Sequence, residues 1–186
     1  MTYMQGWRGL SSGIAKKREY EITSFQLIIP YLQELAKRNT GTVIHWEVED
    51  NNTFKRFFVC PGGMMNNILK SVRPVMSMDA AHMKSCWKGT IYLAVVKTAM
   101  DEIIPVAMSI QRDNEDREGW TYFLKYLRRA CPVLMAQHPY RRCRSWKLFT
   151  FMSDRLKGLP PALMDVFPNN HTTKCAMHIK RNVTTR

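Results

Sequence analysis

Two aspartates that follow short apolar runs are the residues of this sequence best suited to binding a metal ion. Asp79 follows the run 75–78, and Asp154 follows the run 148–153. Each run has the length of a strand and is too short for a helix. Ligands of open α/β sheets gather at the carboxyl ends of the strands, so two parallel neighbouring strands would bring the two carboxylates together.

Adjacent carboxylates repel each other, and a divalent cation removes that repulsion. Mg²⁺ prefers one or two carboxylates together with phosphate oxygens and water, and a pair of ions about 4 Å apart can assist phosphoryl transfer. The alternative is that each aspartate only caps the turn after its strand. A third carboxylate normally comes from a later helix, but no Asp or Glu follows Asp165, which we expect on the exposed face of its helix. The sequence therefore predicts Asp79 and Asp154 as catalytic, metal-binding residues of an incomplete two-metal site.

Cys175 and His178 have a spacing that could place two ligands on one zinc ion. Structural zinc takes four ligands, and the second pair is not evident, although His138 and Cys143 are candidates in a loop. We favour the interpretation that Cys175 is packed in the protein and that His178 faces solvent or substrate. The five cysteines are widely spread and odd in number, which is typical of a reducing compartment and not of a disulfide framework.

The chain carries 28 Lys and Arg against 15 Asp and Glu, a formal net charge of +13. An excess of this size favours polyanions, of which nucleic acid is the commonest inside cells. The loop 140–147 interleaves its cations with Tyr140 and Trp146, a pattern equally typical of nucleic-acid contact and of a solvated basic loop. The predicted nucleic-acid contacts are Lys84, Lys88, Arg141, Arg142, Arg144, Lys147, Arg155, Lys180 and Arg181.

The elements that must position these residues fall into two parts, and the first, 1–72, is predicted to be an α+β extension. Pro30 begins a helix that closes near Asn39. The stretch 42–49 alternates apolar and polar residues, and 54–60 returns as its partner strand after a turn. A short helix is expected over 64–72.

The second part, 73–186, has the element order of a ribonuclease H-like fold. Three strands near 75–78, 90–98 and 103–110 are predicted to form an antiparallel meander, in which Pro105 indicates an edge strand or a bulge. The elements expected after them are a helix at 120–131, a strand at 148–153, a helix at 158–166 and a strand at 173–177. In that fold the fourth strand lies parallel to the first, so we predict an α/β protein with a mixed sheet and flanking helices.

Several classes of protein are disfavoured by what the sequence lacks. No apolar stretch approaches the roughly 20 residues that span a bilayer, and the first residues lack the apolar centre of a secretory signal. No phosphate-binding glycine-rich loop and no Gly-x-Ser-x-Gly motif is present. We therefore expect a soluble, intracellular protein that does not associate with membranes.

Seven short motifs, in register along the chain, resemble the transposase domain of Mutator-like elements of the plant type. They lie at residues 3–8, 73–79, 84–90, 104–107, 119–123, 151–155 and 175–182. The resemblance implies a DDE transposase with a ribonuclease H-like fold, which cuts and rejoins DNA with Mg²⁺ or Mn²⁺ at transposon terminal inverted repeats in the nucleus. It maps the first two acidic ligands onto Asp79 and Asp154, and the Cys-x-x-His pair of the family onto Cys175 and His178.

Departures from the family pattern shape the expected function. The catalytic glutamate would lie beyond Arg186, and the zinc-binding modules usual upstream and downstream are absent from this sequence. Ala80 and Ala81 replace the more familiar Gly-Thr after the first aspartate. We therefore expect a truncated transposase that is inactive as this chain. One alternative is a DNA-binding or transcriptional regulatory protein derived from a transposase, and another is a degenerate copy without activity. The sequence does not decide whether the protein forms a homo-oligomer.

Overall fold

The computed structural model describes residues 4, 8, 11–13, 24–62, 64–84, 88–135, 149–153, 158–176 and 180. The α-helices whose bounds lie within these ranges are α1 (Ile28–Arg38), α2 (Met64–Ser71), α3 (Arg117–Ala130) and α4 (Leu159–Val166). A short 3-10 helix, Pro132–Leu134, follows α3. None of the helices within the described ranges is long and apolar enough to cross a membrane.

Seven strands form one mixed sheet with the order β1-β2-β5-β4-β3-β6-β7. Their bounds are β1 (Val43–Val48), β2 (Phe54–Cys60), β3 (Val75–His82), β4 (Thr90–Lys97), β5 (Ile103–Gln111), β6 (Thr150–Ser153) and β7 (His171–Lys174). The predicted α/β class and the antiparallel meander of β3, β4 and β5 are confirmed. The predicted parallel pairing of β6 with β3 is confirmed as well.

The β1–β2 hairpin continues the same sheet, because β2 pairs antiparallel with β5 from Arg56↔Gln111 to Val59↔Met108. The extension predicted for 1–72 is thus joined to the core by backbone pairing. The boundary drawn at residue 72 itself stays a prediction.

Pro105 marks a bulge within an interior strand. The register of β4 and β5 shifts between Ala94↔Ala107 and Val95↔Pro105, so Val106 is the extra residue. Proline has no N–H to give to the ladder. It is tolerated here because the described pairing with β2 ends at Met108, so this part of β5 pairs only with β4.

The last strand begins two residues earlier than predicted. The sequence favours a strand over 173–177, but β7 covers His171–Lys174 and lies parallel to β6. The Asn170 side chain donates to the carbonyl oxygens of Leu134 and Phe149, 3.1 and 3.0 Å away, and so anchors the chain just before β7. All four residues of β7 are exposed, so no apolar alternation reveals the strand in the sequence.

Two cores lie on opposite faces of the sheet. The larger core combines strand residues such as Phe58, Met76 and Tyr92 with buried side chains of α2, α3 and α4. The smaller one packs Leu32 of α1 against Phe57 and Val59 of β2. Because Phe57 and Phe58 are neighbours in a strand, they point to opposite faces. We call these faces the α3 face and the α1 face.

Candidate functional site

Asp79 is the fifth residue of β3 and pairs with Leu93 of β4. Its side chain is exposed, and its Oδ1 accepts a hydrogen bond from the Ala80 N–H at 3.0 Å. The sequence predicted that the strand ends before Asp79, and this is wrong. The strand continues because β3 and β4 stay paired as far as His82↔Thr90.

The parallel partner of β3 ends close to Asp79. The described pairing of β3 with β6 runs from Val75↔Thr150 to Ser77↔Met152, so Asp79 lies two residues beyond it. Met76 and Met78 are buried in the larger core, and strand alternation therefore puts Asp79 on the α1 face. Its neighbour Leu93 lines an apolar groove beneath α1. The exposed carboxylate thus stands beside an apolar surface.

The second predicted ligand, Asp154, lies outside the described residues. Ser153, which precedes it, is buried at the end of β6, and its carbonyl oxygen accepts a hydrogen bond from the Cys175 N–H at 2.7 Å. Cys175 is therefore held at the same end of β6. His178 lies outside the described residues, so both predicted pairs, Asp79 with Asp154 and Cys175 with His178, stay predictions.

No group of three or more His, Cys, Asp or Glu side chains placed to hold a metal occurs in the part of the chain that the structure describes. Asp165, the last acidic residue in the sequence, is exposed on α4 as expected. Its Oδ2 accepts a hydrogen bond from Arg117 Nη2 at 2.7 Å, so it is engaged in an ion pair on the α3 side. A metal at Asp79 would need ligands from residues other than Asp165.

Two of the predicted nucleic-acid contacts, Lys84 and Lys88, are exposed on either side of residues 85–87. Together with His82 and Asn114 they line a polar cavity of about 370 Å³. Lys180 is also exposed. The other predicted contacts lie outside the described residues; they are Arg141, Arg142, Arg144, Lys147, Arg155 and Arg181.

Sequence reasoning missed His82 and Asn114. The His82 ring approaches the Thr90 hydroxyl, with 3.3 Å between Nδ1 and Oγ1, and Thr90 Oγ1 donates to the Asp113 carbonyl oxygen at 2.9 Å. His82 could have been noticed because it stands three residues after Asp79 and two before Lys84. Asn114 comes from a turn more than thirty residues away, so only the fold reveals it.

Among the described residues, the groups with a shifted pKa lie on the α3 face. Burial raises the pKa of the Tyr92 and Tyr122 hydroxyls, and burial lowers the pKa of His45. The pKa of the Cys131 thiol is raised mainly by its hydrogen bond with the Cys60 thiol, 3.7 Å away between the sulfur atoms, and to a smaller extent by burial. These groups pack helix α3 against the sheet, and Asp79 faces the other way.

The comparisons with known proteins agree with the motifs. The model of the family described as MULE transposase domain matches residues 75–182. This span is more than half of the 186 residues, and it begins at the first residue of β3 and includes β4 to β7. A comparison with curated proteins finds none that matches.

Proposed function

We propose that this chain, which belongs to the MULE transposase domain family, carries the two-aspartate metal site of a DDE transposase that cuts and joins DNA. The observation that carries the proposal is the parallel pairing of β3 with β6 next to the exposed carboxylate of Asp79. A transposase domain acts on DNA, and the net charge of +13 suits that partner.

The register of the parallel pair supports the second ligand. Val75 pairs with Thr150 and Ser77 with Met152, a constant offset of 75 positions. The same offset leads from position 79 to position 154. We propose on this basis that Asp154 stands beside Asp79 at the sheet end, where the two carboxylates would hold a divalent cation.

The strand order supports a ribonuclease H-like fold for the matched region. Within the sheet, the order β5-β4-β3-β6-β7 places the antiparallel meander first and the two parallel strands after it. This is the arrangement that we predicted from the element order. The hairpin β1–β2 then extends the meander at its outer edge.

Asp79 and Asp154 would hold Mg²⁺ or Mn²⁺, which when bound activates the attacking oxygen and stabilises the leaving oxygen in phosphoryl transfer. The chain's own contribution is the placement of the two carboxylates and of Lys84 and Lys88 for the phosphates. Asp165 is paired with Arg117 and is no third ligand in this arrangement. We propose that this 186-residue chain binds metal and DNA without strand transfer.

The order of the seven motifs resembles the plant type of the family, and with it we propose a nuclear location. The regulatory alternative keeps DNA binding and dispenses with metal. Its expected signature is DNA affinity that falls with salt and does not depend on either aspartate.

The test is a calorimetric titration of the chain with Mn²⁺, comparing wild type with Asp79→Asn and Asp154→Asn. Replacing a residue that only supports a metal ligand typically weakens metal binding about tenfold or more. Each of these substitutions removes a direct ligand, so each should weaken Mn²⁺ binding by at least that factor. Both variants should lose the same binding event. Asp79 is exposed, so its replacement should leave the thermal midpoint nearly unchanged.

Asp50→Asn is the matched control, because Asp50 is an exposed aspartate in the β1–β2 turn. It should titrate like wild type. Identical isotherms for wild type and Asp79→Asn would contradict the metal site, and if salt-sensitive DNA binding persisted, they would favour the regulatory alternative.

A further inference from the structure

Two cavities of different chemistry adjoin each other at the sheet end that carries the β3–β4 hairpin. The polar one, which we call the basic cradle, has a volume of about 370 Å³. The second, which we call the aromatic pocket, has a volume of about 590 Å³. Met83 and Lys88 line both, so the two form one continuous surface.

The basic cradle is lined by the cationic or titratable side chains of Lys84, Lys88 and His82 and by the amide of Asn114. None of the described residues that line it carries a carboxylate. Among the ion pairs within the described ranges, none involves Lys84 or Lys88. Two exposed ammonium groups that form no ion pair with a described carboxylate make a surface that attracts phosphate.

The aromatic pocket combines ring surfaces with hydrogen-bonding groups. Phe25 and Phe54 stand with their ring centroids 6.0 Å apart, and Ile29 and Ile110 add aliphatic surface. The amides of Gln26 and Asn52 belong to its lining as well, and both residues are exposed. A flat heteroaromatic ring with polar edges fits such a lining, because its faces stack on rings while amides reach its edges.

The pocket opens on the same face as Asp79. Ile110 pairs with Ile91, which pairs with Ala81, and Ala81 is two residues after Asp79. Two strand spacings and two residues place the Ile110 backbone about 10 Å sideways and about 7 Å along the strand from Asp79. One DNA strand can therefore reach both.

We propose that the basic cradle and the aromatic pocket together bind one unpaired nucleotide of the DNA substrate. Its phosphate lies against Lys88 and Lys84, and its base enters the pocket and packs against the rings of Phe25 and Phe54. A paired base cannot enter, because it is stacked inside the duplex, so the site selects DNA that is frayed, nicked or bulged. This inference rests on the proposed function, since it takes DNA as the ligand.

The test measures binding of the full 186-residue chain to three fluorescent duplexes by anisotropy, in EDTA so that the result does not depend on metal. One duplex is fully paired, one carries a single unpaired adenine, and one carries an abasic site at that unpaired position. Stacking of one base should make the chain bind the unpaired-adenine duplex about tenfold more tightly than the other two.

Phe25→Leu should reduce that preference to about twofold or less, because leucine keeps the apolar volume and removes the ring. Tyr31→Leu is its matched control, since Tyr31 is an exposed aromatic residue of α1 outside the pocket, and it should keep the preference. Lys88→Gln should weaken binding to all three duplexes by a similar factor, about threefold, because it removes a phosphate contact. Lys125→Gln makes the same charge change on the α3 face and should change little.

Equal affinity of wild type for the three duplexes would overturn the nucleotide site, and it would leave the proposed metal site standing if Asp79→Asn still weakened Mn²⁺ binding as expected above. A preference that persists in Phe25→Leu would also overturn it. Conversely, if the preference is observed while the Mn²⁺ isotherms of wild type and Asp79→Asn coincide, the metal site fails and the nucleotide site stands.

Discussion

His45 connects the outermost strand of the sheet to helix α3. Its Nδ1 lies 3.0 Å from the Tyr122 hydroxyl, and its ring stacks on Tyr126 with centroids 4.0 Å apart. The guanidinium group of Arg56 lies over the ring of Tyr122, with its central carbon 4.2 Å from the ring centroid. Burial lowers the pKa of His45; Glu47 opposes the shift, and Arg56 and Arg129 add to it. The fold therefore favours the neutral imidazole.

We expect this histidine to make the protein less stable in mild acid. The unfolded chain regains the usual histidine pKa of about 6.5, so as the pH falls below it the unfolded state takes up a proton first. Stability is lost from there down to the lower pKa of the folded state. Urea denaturation of wild type and His45→Gln at a series of pH values should show a steeper loss in wild type.

If wild type and His45→Gln lose stability in parallel between about pH 7.5 and 5.5, the neutral imidazole contributes nothing and the prediction is wrong.

Asp79, Lys84 and Lys88 could be selected from the sequence because each stands within a few residues of an apolar run or a turn. The aromatic pocket could not. Phe25 and Ile110 are 85 positions apart, and they line one cavity only because α1 lies across the face to which β5 contributes. Local patterns thus revealed the charged groups, whereas the surfaces around them depend on long-range pairing.

Helix α3 packs closely on the sheet at its first turn. Asp116 caps the helix by accepting a hydrogen bond from the Gly119 N–H at 2.7 Å. A Cβ at Gly119 would collide with the Tyr92 hydroxyl oxygen, lie 2.9 Å from Tyr92 Cζ and lie 3.1 Å from Gln111 Oε1. Tyr92 is fully buried, so its ring has little room to yield. The glycine is required by this contact between helix and strand.

Gly119→Ala should therefore destabilise the protein although alanine is the better helix former. Alanine gains about 1 kcal/mol from helix propensity, and overpacking costs about 1–3 kcal/mol. With Tyr92 in place, the free energy of unfolding should therefore fall by up to about 2 kcal/mol. Tyr92→Phe removes the colliding hydroxyl and should relieve part of this loss. Urea denaturation of the four proteins of the cycle measures the coupling. Additive effects of the two substitutions would show that Tyr92 is not the obstacle.

Strands with alternating or continuous apolar residues were predicted close to their observed bounds, as with β4 and β5. The alternation reports burial, so it fails where a strand is wholly exposed. That is why the start of β7 was misplaced. It also fails to show where a strand ends inside a hairpin, and Asp79 consequently lies within β3 and not at its exit.

The hairpin β1–β2 and the transposase-like region share one sheet and one core. Phe58 and Cys60 of β2 are buried among residues of β3, α3 and α4, and Ser109 Oγ of β5 donates to the Phe57 carbonyl oxygen at 2.6 Å. Without the hairpin, β5 would present an open edge, which natural proteins avoid because open edges aggregate. We therefore expect the described strands to unfold as one cooperative unit, even though the family match begins only at residue 75.

Hydrogen exchange in increasing sub-denaturing urea can decide this. In a single unit, the buried amides of β2 and β4 open only by global unfolding, so their opening free energies converge on one value with the same urea dependence. In an independent hairpin, the amides of β2 would open at lower free energy and with a shallower dependence. Phe58→Leu sharpens the comparison, because a cavity in a shared core lowers the opening free energies of both strands equally. A loss confined to β1 and β2 would show that the residues before 73 form a separate folding unit.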